Sequence, residues 1–108
     1  MDKHRLDRMT NGWFIGDFEP SVFRTTEFEV GVKRYATGMV EPAHQHLIAT
    51  EVTLVLSGKV RMNQIFYFPG DILVTHPGEQ VSFEAIEDSV TVVVKTPSVI
   101  GDKYVVQK

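Results

Sequence analysis

The feature that most constrains this chain is its punctuation. From Gly12 onward it breaks into short segments rich in Val, Ile, Phe and Thr, each closed by Gly, Pro or Asn, with turn signals about every 8–12 residues. Such segments form strands joined by tight turns. No window of a dozen residues keeps an i, i+3, i+4, i+7 apolar pattern free of Gly or Pro, so at most a turn or two of helix is expected. The fold class is therefore all-β, a two-sheet sandwich or small barrel. A length of 108 residues with 43% hydrophobic content supplies one core and excludes intrinsic disorder for the body of the chain. No internal repeat, linker or low-complexity tract asks for a second domain, so residues 1–108 are expected to form one domain.

The strands are expected as follows. From Phe28 to Arg34 the chain alternates, with Phe28, Val30 and Val32 on one face and Glu29, Gly31 and Lys33 on the other, as a half-buried strand does. Turns follow at Thr37-Gly38 and Glu41-Pro42. A strand from Glu51 to Leu56 reverses at Ser57-Gly58 and returns from Lys59 to Met62, with Asn63-Gln64 as the next turn. Ile65–Phe68, Ile72–Thr75, Val81–Ala85 and Val90–Lys95 complete the set, separated by Pro69-Gly70-Asp71, Pro77-Gly78 and Glu87-Asp88. The first ten residues and the tail after Pro97 are the expected loose ends, although Lys103-Tyr104-Val105-Val106 has the makings of an edge strand. The apolar group Trp13-Phe14-Ile15, with Phe18, Val22 and Phe23, either closes the chain's own core or pairs along an edge with a second copy.

Composition removes several function classes. The chain has no cysteine, which excludes disulfides, a thiolate nucleophile, Fe–S clusters and thiolate zinc sites. A formal charge of −3, with basic residues scattered singly apart from Lys33-Arg34, argues against a nucleic-acid partner. The first dozen residues lack the apolar stretch of a secretory signal, and the densest apolar run, Val90 to Val94, is far short of the roughly 20 residues that span a bilayer. No membrane association and a cytoplasmic location are expected.

Chemistry concentrates between Gly38 and Gly58. On an extended strand His44 and His46 project to one face with Gln45 turned away. Glu51 lies five residues beyond His46, which puts it on the opposite face of a continuous strand. A connection at Leu47–Thr50 into a neighbouring antiparallel strand brings it back beside the histidines. Two imidazoles and one carboxylate with open positions suit a divalent ion, Fe, Mn, Zn or Ni, with Co also able to occupy such a set.

The spacing Gly38-x5-His44-x-His46-x4-Glu51-x6-Gly58 resembles the first motif of the cupin superfamily. The run Gly70-Asp71-Ile72-Leu73-Val74-Thr75-His76-Pro77-Gly78 resembles the second. The resemblance covers roughly residues 38–83, within a motif-bearing core of about residues 28–95. It implies a cupin-like double-stranded β-helix, a jelly-roll barrel, with one metal at its mouth held by His44, His46 and Glu51. It also implies dimerisation, so a homodimer is expected. Aligned on Gly70-Asp71 and Pro77-Gly78, the position where many cupins carry a third histidine holds Val81. The implied function is a metal-binding small cupin that acts on a small polar molecule, such as a sugar derivative, enediol or keto acid, by isomerisation or oxygenation. The alternative is a non-catalytic cupin that binds a small ligand as carrier, sensor or regulatory protein. No catalytic acid or base is assigned from the sequence. His76, Glu79 and Gln80 read as rim or turn residues, His4 as part of the loose N-terminus, Arg61 and Tyr67 as surface and core residues, and Glu87-Asp88 as a solvated turn.

Overall fold

The computed structural model describes residues 1–106, so the last two residues of the expected domain lie outside the described residues. Ten strands follow a single 3-10 turn at Leu6–Arg8: β1 Trp13–Ile15, β2 Glu29–Tyr35, β3 Val40–Gln45, β4 Thr50–Ser57, β5 Val60–Met62, β6 Ile65–Tyr67, β7 Ile72–Thr75, β8 Val81–Ala85, β9 Ser89–Thr96 and β10 Tyr104–Val105. They form two antiparallel five-stranded sheets, ordered β1-β2-β9-β4-β7 and β10-β3-β8-β5-β6. The class is all-β, as the turn spacing predicts. Among the described residues no helix is long and apolar enough to cross a membrane.

Where the turn chemistry is strong, the expected boundaries hold to within a residue. Asn63 and Gln64 both adopt positive φ, 49° and 69°, as a two-residue hairpin between β5 and β6 demands. The turn expected at Glu41-Pro42 is absent, because β3 runs straight through it. A register shift between Glu41 and His44 opposite β8 absorbs Pro42 and Ala43 as a bulge, a position where the missing proline N–H removes no ladder bond. The bulge leaves both Glu41 and His44 lining the barrel interior. At the C-terminus, Tyr104 and Val105 do pair with β3, opposite Gln45 and His44. Residues 98–106 of the tail are thus tied into the fold.

The alternation in β2 is real, but its polarity is inverted. Tyr35 packs against the core cluster of Val55, Val60, Met62, Phe83 and Ala85, and with it Lys33, Gly31 and Glu29 take the interior side of the sheet. The aliphatic set faces outward. Register carries this inversion across the sheet, since Val30 and Val52 both pair with Val94, Val32 and Leu54 both pair with Val92, and Val74 pairs with Val52. The outer face is an aliphatic surface on which Leu56, Ile72 and Val74 are more than half exposed. The N-terminal segment covers only its β2 end, where Leu6, Met9, Phe14 and Val22 meet Val32.

The interior is divided along its length. One end is filled by the apolar cluster, flanked by Leu73, Val81 and Tyr67. Along β4 the inward residues change from Val55 through buried Thr53 to Glu51, so the other end is polar. The Trp13 group packs on its own sheet. Trp13 lies over Gly31, where a Cβ would come within 2.7 Å of the indole.

Candidate metal centre

His44 lies in β3 and His46 just beyond it, while Glu51 is the second residue of β4. The sequence places these strands side by side; the structure places them in opposite sheets. Leu47–Ala49 carries the chain across the end of the barrel, so the carboxylate meets the imidazoles across the interior. The correction leaves the convergence intact. One donor atom from each of His44, His46 and Glu51 lies within 4.8 Å of the other two, and both histidines are buried.

Each imidazole is oriented by a backbone carbonyl. His46 Nδ1 is 2.5 Å from the Asp102 carbonyl, and His44 Nδ1 is 3.3 Å from that of Pro42. A carbonyl only accepts, so both rings carry their proton on Nδ1 and turn Nε2 inward, the arrangement that metal-binding histidines use. His46 Nε2 then stands 2.8 Å from Glu51 Oε2, and it is the one buried side-chain polar atom left without a hydrogen-bond partner among the described residues. Two lone pairs facing each other at that distance need a cation between or beside them. A second proton on His46 meets that need. So does a metal ion, since two donors each about 2.1 Å from one ion and at right angles stand about 3 Å apart.

The electrostatics agree. The adjacent Glu51 carboxylate raises His46 above its ordinary range, whereas burial lowers His44. Burial pushes Glu51 up, but the neighbouring His46 imidazole and the charge of Lys95 outweigh it and hold the carboxyl below the usual range. Lys95 is the register partner of both Glu51 and Glu29 and lies 3.2 Å from Glu29 Oε1. The carboxylate is therefore kept ionised.

Asp102 organises the crossing. Its buried carboxylate accepts the backbone N–H groups of Leu47, Ile48 and Ala49 at 2.9–3.2 Å, while its carbonyl receives His46. One tail residue thus shapes the loop between β3 and β4 and fixes the His46 ring. Asp102 was not legible as a site residue, because it is more than fifty positions from its partners. Tyr35, Glu41, Lys33, Lys95, Lys103 and Trp13 also surround the cluster in a cavity of about 110 Å³, and the sequence singled out none of these for chemistry. The signal for them in the sequence is the alternation of Glu29, Gly31 and Lys33 in β2.

Other expected positions resolve simply. Val81 is the register partner of His44 and packs on the core cluster, so an aliphatic side chain stands where a third imidazole would come. His4, His76, Glu79 and Gln80 are exposed. Arg61 pairs with Glu84, and Tyr67 packs on the core. Asp88 is exposed, with its carboxylate accepting the Thr37 backbone N–H and hydroxyl.

No protein-family model and no curated protein matches the chain. Solved structures do. An uncharacterised conserved protein with a double-stranded β-helix domain from Klebsiella pneumoniae is 24% identical, with 81% of each chain covered and a TM-score of 0.69. KdgF from Halomonas sp. is 22% identical over 68% of this chain and 72% of that one, TM-score 0.64. A sugar phosphate isomerase from a cupin superfamily, from Silicibacter pomeroyi, is 23% identical over 65% of this chain and 50% of that one, TM-score 0.60. The fold is therefore the double-stranded β-helix.

Burial pushes the Asp102 carboxyl up, but the N–H groups of Ala49, Leu47 and Ile48 outweigh it and hold the carboxyl below its ordinary range. Its stabilisation is present in full above the unfolded value of about 4 and is lost as pH falls through the lower folded value. Asp102→Asn should cost about 1–3 kcal/mol at neutral pH and flatten the acid limb of the stability curve. Thermal unfolding followed by circular dichroism across that limb measures both. Parallel acid limbs for the two proteins would show that Asp102 carries no such role.

Proposed function

We propose that this protein is a metal-dependent enzyme acting on a small polar molecule, a sugar derivative, enediol or keto acid, with one divalent ion held by His44, His46 and Glu51. The observation that carries this reading is the buried, partnerless His46 Nε2 facing the Glu51 carboxylate. When bound, Fe, Mn, Zn or Ni supplies Lewis acidity toward a carbonyl or hydroxyl oxygen. The resemblance to a protein described as a sugar phosphate isomerase favours isomerisation.

The chain's own residues supply a route for the proton. Tyr35 donates its hydroxyl to Glu41 Oε1 at 3.0 Å, and both line the cavity with the two histidines. Burial, with the negative charge of Glu41, drives the phenol's acidity far down, so it stays protonated. Its oxygen takes a proton from one atom of a bound molecule as its own proton passes to Glu41, and the transfer run backwards delivers a proton to the neighbouring atom. An isomerisation needs that removal and return. This pair favours an enzyme over the alternative, a carrier, sensor or regulatory cupin.

His44→Ala, His46→Ala and Glu51→Ala should each remove most of about one bound divalent ion per chain, as read by elemental analysis of protein purified without an affinity tag; undiminished metal in all three would reject the ligand assignment. Tyr35→Phe should retain the metal while lowering turnover by about 100-fold or more. Equal turnover with and without the hydroxyl, on any small acid or sugar the protein transforms, would remove Tyr35 from the proton route.

A second copy of the chain completes the assembly through the aliphatic outer face. A two-fold contact requires a patch that complements itself, and a flat apolar sheet face does so, whereas a monomer rarely leaves such a surface in water. Light scattering should give twice the chain mass for the native protein and the chain mass for Val74→Lys. A native protein monomeric at micromolar concentration would overturn this assembly.

A further inference from the structure

The cavity beside the metal centre carries more positive charge than the centre requires. Lys33, Lys95 and Lys103 line it together with only two carboxylates, Glu41 and Glu51. Lys33 and Lys95 come from inward positions of β2 and β9 and share the Trp13 ring, with Nζ atoms 5.4 and 4.9 Å from its centroid. Lys103 precedes Tyr104, the register partner of Gln45, so it arrives opposite His46. These ammonium groups are unequal. Lys95 is paired with Glu29, Lys33 donates to the Asn11 carbonyl at 2.9 Å, and Lys103 has no ion-pair partner among the described residues. Glu51 belongs to the metal and Glu41 to Tyr35, which leaves Lys33 and Lys103 without a carboxylate of their own.

Resting on the metal reading above, we propose that the site's ligand is a carboxylate-bearing molecule whose carboxylate is bound by Lys33 and Lys103 beside the metal centre. Ammonium groups held at the edge of a low-dielectric cavity attract an anion more strongly than they would in water, and an ion neutralising Glu51 increases that preference. Size divides the ligand in two. About 110 Å³ is the volume of about four waters, enough for a carboxylate and the oxygen-bearing carbon next to it. Lys33, Tyr35, Glu41 and Lys103 also line an adjoining cleft of about 720 Å³, whose further walls include Arg5, Asn11 and Arg34. Leu6, Met9, Val32 and Met39 wall it as well, so the remainder of the molecule lies against a mixed polar and apolar surface. A 2-oxo or 2-hydroxy acid with an extended, amphipathic tail meets both requirements.

Malonate and its neutral diamide, malonamide, separate charge from shape. Isothermal titration of the metal-loaded protein should find malonate bound at least about tenfold more tightly, a difference of about 1.4 kcal/mol. Lys103→Met and Lys33→Met should each remove most of that preference, and Lys33→Arg should keep it. Lys103 is exposed, so its variant tests the idea even where Lys33→Met disturbs folding. Equal binding of the two probes, no malonate binding, or a preference untouched in Lys103→Met would overturn the proposal. Metal content measured on the same samples reports separately on the metal reading: a full complement of metal with no malonate preference defeats only the carboxylate assignment. Protein that takes up no metal yet binds malonate in a Lys103-dependent way keeps the carboxylate assignment and defeats the metal reading.

Discussion

The geometry of the site depends on one buried carboxylate. Asp102 collects three consecutive backbone N–H groups from the loop joining the two sheets, and the same residue's carbonyl holds His46. Without it, Leu47–Ala49 would present a row of unpaired donors at the barrel's end, where Ala49 has no access to water. An unpaired buried donor costs about 1–3 kcal/mol. The crossing therefore adopts the shape the carboxylate dictates, and that shape fixes the offset between His46 and Glu51. The tail is tied in turn by the pairing of β10 with β3. A segment remote in sequence thus sets the distance between two neighbours in the site.

That dependence explains what the sequence could and could not disclose. Strand positions were legible because Gly, Pro and Asn act locally: Asn63-Gln64 turned where expected, and β7 and β8 began and ended at the expected residues. The spacing of His44, His46 and Glu51 was legible because it is local too. What failed was the relation between elements. Adjacent strands in sequence usually pair, yet β3 and β4 separate into two sheets, and nothing local distinguishes a hairpin loop from a crossing between sheets. The polarity of β2 failed for a similar reason. Alternation defines two faces, and the rule that the apolar face points inward holds only where the interior is a core.

Here half of the interior is a site. Glu29, Lys95 and Glu51 sit side by side on the inward face of three neighbouring strands, in positions that the opposite end of the barrel gives to aliphatic residues. Burying such charges is costly unless each finds a partner. Glu29 and Lys95 satisfy each other, with Ser98 Oγ donating to the second Glu29 oxygen at 2.8 Å. Stability is supplied elsewhere, by the Val55, Val60, Met62, Phe83 and Ala85 cluster, and the displaced aliphatic residues of β2, β4, β7 and β9 gather on the outer face.

The division of labour among the lysines follows from the same electrostatics. Lys95 is nearly enclosed and bound to Glu29, so its charge is fixed in place and acts at a distance by keeping Glu51 ionised. A fixed, compensated charge is poorly suited to capture a mobile anion, because its partner must be displaced or must share it. Lys103 sits at the exposed mouth on a four-carbon stem, with little desolvation to overcome and no bound carboxylate to release. Lys33 lies between these extremes, half-buried against Trp13 and holding only a backbone carbonyl. On the proposed reading, an anion entering from the wider cleft meets Lys103 and Lys33 first and the cluster of His44, His46 and Glu51 last. The order of charges along that path, from free to partly held to fully paired, lets a ligand be gathered at the rim and ordered only at the centre.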